Sequence, residues 1–383
     1  MRVFLIAGEP SGDRLGAALM RGLRTLVPAV EFHGIGGPRM AEEGLSSLFP
    51  MDEISIMGIT EILSQYRHLK RRIRESAEAV LAMRPDVLIT IDLPEFGLRV
   101  AKQVKAASHI RTVHYVAPTV WAWRPGRAAK MARHVDQVLA LLPFEPPYME
   151  AAGMRCDFVG HPVVTDPQAS AAEADSFRAA HGIGQAPLLM VLPGSRRSEV
   201  TRLAPVFAEA LRAVMAARPD TRLVVPAAAP VAALVADAVA GWPGAPVLLD
   251  PAAPDAAAEK RAAFRAADAA LAASGTVALE LAAAGTPMVI AYDMNWLSRQ
   301  IIGRMLLVDS VNLVNLVSET RTIPEFIGPA CRPAPIAQAL LTVLDDPAPQ
   351  DAAMRLTMQR LGAGGEAPGV RAARAVLAGL GAD

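Results

Sequence analysis

Cysteine is nearly absent from this 383-residue chain, which has only Cys156 and Cys331. They stand far apart, with no CxxC and no Cys/His cluster, so a structural zinc site is not expected. A reduced cytosolic thiol pair is a simpler reading than a single disulfide. No DxD triplet occurs, and the seven histidines show no HxxxH spacing; neither a metal nor a cofactor is expected. The GxSxG turn of hydrolases is missing as well. Net charge is missing too: 38 Lys+Arg face 38 Asp+Glu, which makes the chain a poor candidate for wrapping nucleic acid. There is no unbroken membrane-length run. Residues 269–292 carry one charge, Glu280, but Ser274, Gly275, Thr276, Gly285 and Pro287 divide them into strand, loop, helix, turn and strand. The apolar run after Arg2 is too short for a signal peptide.

What the chain does have is apolar material, 52% against 20% charged residues, enough for large cores. At roughly 150 residues per domain, its length suggests two domains. Residues 2–7, 31–36, 87–91, 112–116 and 135–142 read as strands, with helices at 14–26, 66–83 and 96–107 between them. After a linker at 160–167 the pattern restarts. Strands are expected at 188–192, 223–225, 247–249, 269–272 and 288–291, with helices at 203–217 and 277–284. Such alternation predicts doubly wound parallel α/β sheets, whose ligands sit beyond the carboxyl ends of the strands. The expected domains are 1–165 and 168–345, followed by a helical tail at 350–383 that packs back on the first domain.

Five segments at such strand ends carry candidate chemistry. In LPGSRRSEV (192–200) a strand gives way to a glycine turn and a helix start, where free N–H groups attract an anion. Ser195 and Arg196 are the added donors, for which a diphosphate is the natural ligand. Glu199 is counted with them as a substrate-binding candidate; alternatively, Ser195 is a plain cap and Glu199 merely supports the helix. ASGTVALE (273–280) repeats the arrangement with Ser274, Gly275 and Thr276. Glu280 stands alone on its apolar helix, either as a ribose-diol acceptor or as a solvated helix-edge residue. GEPSGD (8–13) is not GxGxxG; Glu9, Ser11, Gly12 and Asp13 form either a hydroxyl-binding loop or a turn with an Asp cap. Asp92 ends a buried strand and is either a general base or a cap of the next helix. In YVAPTVWAWR (115–124), two of the four tryptophans lie beside Arg124, Arg127, Lys130 and Arg133. That pattern suits sugars, acidic groups or a membrane interface, or else core packing beside a solvated basic helix.

Together with GGPRM (36–40), MGI (57–59), LPFE (142–145) and GHP (160–162), these motifs run in order over about residues 3–316. The chain resembles the lipid-A-disaccharide synthase family. The resemblance implies a GT-B fold, two Rossmann-like domains facing a central cleft. It also implies an inverting transfer from UDP-2,3-diacylglucosamine to 2,3-diacylglucosamine 1-phosphate, giving a β-1,6-linked disaccharide 1-phosphate and UDP. By the same resemblance, Asp92 is the base, Ser195 and Arg196 hold the diphosphate, Glu280 meets the ribose and Asn315 lies near the donor. The chain departs from the family pattern with Val314 for Pro, Glu95 for Asp and Gly97 for Asn. The implied setting is the cytoplasmic face of a Gram-negative inner membrane, bound peripherally, and a homodimer is allowed. Ile54, Ile62, Leu63 and Tyr66 would meet acyl chains, and Arg67, His68, Lys70, Arg71, Arg72 and Arg74 anionic headgroups; an ordinary amphipathic surface helix is the alternative. Other readings are a GT-B epimerase or peptidoglycan-type transferase, and a nonenzymatic nucleotide-sugar or lipid-binding protein.

Overall fold

The computed structural model describes residues 1–55, 66–295, 299 and 305–381. The chain divides into two compact units, 1–165 with 361–383, and 166–360. The helix Ala348–Arg360 therefore belongs to the second unit, and the division falls later than the 345–350 expected from sequence.

The first unit is built on β1 (Arg2–Ala7), β2 (Glu31–Ile35), β3 (Ser46–Ser47), β4 (Val87–Ile91), β5 (Arg111–Tyr115), β6 (Gln137–Ala140) and β7 (Arg155–Phe158). They form one parallel sheet in the order β3-β2-β1-β4-β5-β6-β7. The central strands β1 and β4 are buried and, apart from the exposed Arg2 and the buried Thr90, apolar, as strands covered by helices on both faces are. The order reverses between β1 and β4, where Ala7 pairs with Ile91. Gly8–Glu9 and Asp92 thus emerge side by side at the switch point, where open α/β sheets place ligands.

The first helix begins at Pro10, not at 14, and the helix after β4 at Pro94, not at 96. Proline is favoured in a first helical turn because its missing N–H would have no acceptor there. The last helix, Pro368–Leu380, returns to the first unit and packs on the helix Pro10–Leu26. A Cβ at Gly22 would stand 2.4 Å from the Gly369 carbonyl oxygen, and one at Gly369 2.4 Å from that of Ala18. The two backbones touch because neither glycine has a side chain. The Gln137 side-chain amide also donates to the Ala375 carbonyl at 2.8 Å.

The second unit repeats the plan with β8 (Leu188–Leu192), β9 (Arg222–Pro226), β10 (Val247–Leu249), β11 (Ala269–Ala272), β12 (Met288–Tyr292) and β13 (Glu325–Ile327). Its parallel order is β10-β9-β8-β11-β12-β13. The switch point lies between β8 and β11, where Leu192 pairs with Ala272. Cys156 and Cys331 are both free and buried, and burial pushes their thiols up to about 12 and about 11. Among the described residues no helix is long and apolar enough to cross a membrane.

Candidate functional site

In the second unit the register sets the turn after β8 beside the turn after β11, and a cavity of about 450 Å³ opens between them. Gly194 has φ +118°, and a Cβ there would stand 2.6 Å from Glu199 Cβ, so only glycine fits. The Glu199 carboxylate folds back under this turn: Oε2 accepts from the N–H groups of Ser195 (3.0 Å) and Arg196 (3.2 Å). This corrects the expectation of free N–H groups across the loop, because two of them already hold an internal anion. The donors left for a ligand are the Ser195 hydroxyl, the Arg196 guanidinium and the first-turn N–H groups of Arg197 and Ser198, which have no intrahelical acceptor. The Arg196 side chain is 69% exposed and touches Glu199 at 3.3 Å. Glu199 therefore shapes the loop from below, while Arg196 reaches outward.

Opposite, Ser274, Gly275 and Thr276 lead into the helix Val277–Ala284, and all three line the cavity. Gly275 has φ +159°, and the space where its Cβ would stand is empty, so a ligand can approach the backbone there. Glu280 also lines the cavity. Its Oε2 is 2.8 Å from Lys260 Nζ, on the helix Ala256–Ala266, and Lys260 lines the same cavity. Sequence reasoning missed Lys260, because it sits in an alanine-rich tract that reads as helix filler.

Asn315 does not join this site. It is 1% exposed; its Nδ2 donates to the Ile323 carbonyl (2.9 Å) and to Glu325 (2.8 Å), and its Oδ1 accepts from the Ile323 N–H (3.0 Å). With its hydrogen-bonding capacity used internally, it ties the helix Leu313–Ser318 to the segment entering β13. The Val314 departure also has a local reason. The Val314 N–H donates to Asn312 Oδ1 at 2.7 Å, a bond proline cannot make.

In the first unit Asp92 and Leu93 both take left-handed backbone angles, φ 51° and 41°. Leu93 is the N-terminal cap of the helix Pro94–Ala107, so Asp92 is not a helix cap. The Asp92 N–H donates to the Tyr115 carbonyl at 2.9 Å, and its carboxylate makes no hydrogen bond to any described residue. Two consecutive non-glycine residues in this region cost roughly 1–2 kcal/mol each. Such strain persists where the surroundings impose it, commonly at functional positions. Gly8 makes room for it, since a Cβ there would stand 2.2 Å from Leu93 Cδ2. The Gly97 departure has a similar cause: a Cβ would stand 2.9 Å from Thr90 Cβ, leaving no space for a larger side chain. Glu95 is exposed and pairs with Arg99 and Arg127.

Asp13, expected to bind a hydroxyl, does something else. It is 2% exposed, and its carboxylate accepts three backbone N–H bonds, from Gly37 (2.8 Å), Arg39 (2.9 Å) and Met40 (3.0 Å). It caps the GGPRM turn, and its burial withdraws it from a substrate. Gly12 packs against the Ile91 carbonyl. Of the motif's other residues, Glu9 is half-buried, and Pro10 and Ser11 are exposed.

The two tryptophans of 121–123 part company. Trp121 is buried edge-on to Phe144 and donates to Glu145 at 3.3 Å, while Trp123 stacks on Arg124. Glu145 also accepts from the Leu142 N–H, and burial pushes its carboxyl up to about 7. Among the described residues no group of three His, Cys, Asp or Glu is placed to hold a metal. Residues 56–63 of the expected acyl-contact segment lie outside the described residues.

Comparison with known proteins adds three findings. The model of the family described as lipid-A-disaccharide synthetase matches residues 3–367. A lipid-A-disaccharide synthase of Ruegeria pomeroyi is 68% identical, covering 98% of this chain and 95% of its own; one of Rhodospirillum centenum is 48% identical, covering 98% and 94%. Among solved structures, a UDP-GlcNAc 2-epimerase of Neisseria meningitidis bound to UDP-GlcNAc aligns with TM-score 0.65 at 11% identity over all of both chains. The corresponding enzyme of Methanocaldococcus jannaschii, in complex with UDP-GlcNAc and UDP, aligns at 0.61 and 13% over 98% of both. At such identities the likeness shows the fold alone, which is GT-B.

Proposed function

The chain belongs to the lipid-A-disaccharide synthase family, and from that membership we propose that it joins UDP-2,3-diacylglucosamine to 2,3-diacylglucosamine 1-phosphate, forming a β-1,6 linkage and releasing UDP. It is a glycosyltransferase of lipid A biosynthesis. The observation that carries the finer reading is the cavity lined by Gly194–Arg196 and Ala273–Val277, which gathers the hydroxyl-bearing Ser195, Ser274 and Thr276 and the guanidinium of Arg196 with the carboxylates of Glu199 and Glu280. A diphosphate suits the donors, and a ribose diol suits Glu280.

The reaction is a single displacement. The acceptor 6-hydroxyl gives its proton to Asp92 as its oxygen attacks the anomeric carbon, and the bond to UDP breaks with the electron pair leaving on the β-phosphate. Attack opposite the leaving group converts the α-linked donor to a β-linked product. Ser195, Arg196 and the first-turn N–H groups stabilise the charge that grows on the diphosphate. Asp92 suits a base because its carboxylate has no hydrogen bond to any described residue, while its strained backbone fixes where it emerges. Replacing Asp92 by Asn is expected to lower the single-turnover rate by about 10²–10⁴-fold with UDP affinity unchanged. A variant that keeps the wild-type rate removes Asp92 from this role.

Peripheral membrane contact is proposed at the helix Tyr66–Met83. Arg67, Lys70, Arg71 and Arg74 are exposed on it, and a groove of about 320 Å³ with Ile73 and Ala106 in its walls carries Lys70, Arg99 and Lys102. This pattern suits an anionic amphiphile. Arg72 and His68 are turned instead to Glu53, at 2.5 and 3.0 Å, and Arg72 also stacks on Phe49. Changing Arg67, Lys70, Arg71 and Arg74 to Glu is expected to abolish binding to liposomes containing anionic lipid. Unchanged binding contradicts the proposal.

A further inference from the structure

We propose that Lys260 is a positioning residue that sets the Glu280 carboxylate for the ribose of the donor nucleotide. The inference rests on the reading of Glu280 as the ribose acceptor. The two residues come from different helices, and both line the cavity between the nucleotide-facing turns. Lys260 Nζ stands 2.8 Å from Glu280 Oε2 and 5.0 Å from the ring centroid of Phe264, one helical turn further on. Phe264 is 4% exposed, so the lysine head rests on a fixed aromatic face.

Lys260 and Glu280 side chains are 44% and 42% exposed, and pairs so accessible to water add little to stability. The consequence of the contact is geometric. With Oε2 paired to the ammonium, one orientation of Glu280 is favoured, and Oε1 is left as an acceptor with no hydrogen bond to a described residue. A carboxylate held this way accepts from vicinal hydroxyls without first being ordered by the ligand. Lys260 has a second effect that does not depend on ribose. The cavity is lined by two carboxylates, Glu199 and Glu280, and two cations, Arg196 and Lys260. Removing Lys260 leaves an excess negative charge where a diphosphate must bind, which weakens every nucleoside diphosphate alike.

These two effects separate experimentally. Calorimetry on the full chain measures the affinities of UDP and 2′,3′-dideoxy-UDP for the wild type and for Lys260→Met, Lys260→Arg and Glu280→Gln, with a thermal melt of each to establish folding. The wild type is expected to favour UDP over the dideoxy compound by about tenfold or more, as hydrogen bonds to a charged acceptor do. In Lys260→Met that preference is expected to fall to within about twofold, as in Glu280→Gln, and Lys260→Arg is expected to restore most of it. A Lys260→Met protein that binds both nucleotides more weakly but keeps their ratio overturns the positioning role and leaves only a charge effect. A wild type that binds both equally removes the ribose reading of Glu280, and the proposal with it.

Discussion

Asp13 offers the sharpest test of how the first unit is built. Its buried carboxylate receives three N–H bonds, with Oδ1 serving Gly37 and Met40 and Oδ2 serving Arg39. Asp13→Asn replaces one oxygen with an NH₂ group, so in either orientation at least one of these amides faces a donor. An unsatisfied buried donor costs about 1–3 kcal/mol. Losing the negative charge at a helix start adds roughly 0.3–1 kcal/mol. The expected loss is therefore about 1–4 kcal/mol, and more for Asp13→Ala, which abandons all three amides. Urea denaturation followed by circular dichroism reads the shift. Hydrogen exchange should show the amides of 37, 39 and 40 opening early. If Asp13→Asn keeps the wild-type midpoint and exchange pattern but turns over poorly, the carboxylate serves the substrate, and the structural assignment is wrong.

Further expectations follow from other contacts. Burial pushes Glu145 from 4.5 up to about 7, so the folded protein binds this proton more tightly than the unfolded chain. Its stabilising contribution is complete below pH 4.5 and is lost as pH rises through 7, about 3 kcal/mol in all. Glu145→Gln should remove that loss, so its urea midpoint should gain on the wild type across the interval; parallel midpoints contradict the assignment. His114 runs the other way. Its buried ring is pushed down to about 4, and its contribution is present above 6.5 and lost as pH falls through 4. Gly369→Ala places a methyl against the Ala18 carbonyl and should cost about 1–3 kcal/mol by overpacking, read as a lowered melting temperature. Asn315→Ala orphans the Ile323 N–H and carbonyl. It should destabilise the protein by about 2–4 kcal/mol without changing the KM for donor in the folded fraction; a normal melt with a raised KM puts Asn315 back at the ligand.

The parallel sheets were readable in the chain because strands buried on both faces are short apolar runs, and 2–7, 87–91, 188–192 and 269–272 are runs of this kind. The turns at their carboxyl ends therefore pointed to the site region. Helix starts at 14, 96 and 203 were read late: Pro10 and Pro94 open their helices, and the third begins at Arg197. Short elements such as β7 and β13 carry too few residues to show a period. The individual side-chain assignments were harder because their partners are remote in sequence. Asp13 is 24 to 27 residues from the amides it caps, and Lys260 is 20 from Glu280. A carboxylate in a motif looks the same whether it faces a sugar or a buried turn; only the fold decides which.

The most direct test of the central claim is UDP release by the purified protein supplied with UDP-2,3-diacylglucosamine, with and without 2,3-diacylglucosamine 1-phosphate, followed by mass and NMR analysis of the lipid product. The account predicts UDP formed only when the acceptor is present, in equal amount to a β-linked disaccharide 1-phosphate. Acceptor-independent UDP release, an epimerised sugar or an α-linked product would contradict it.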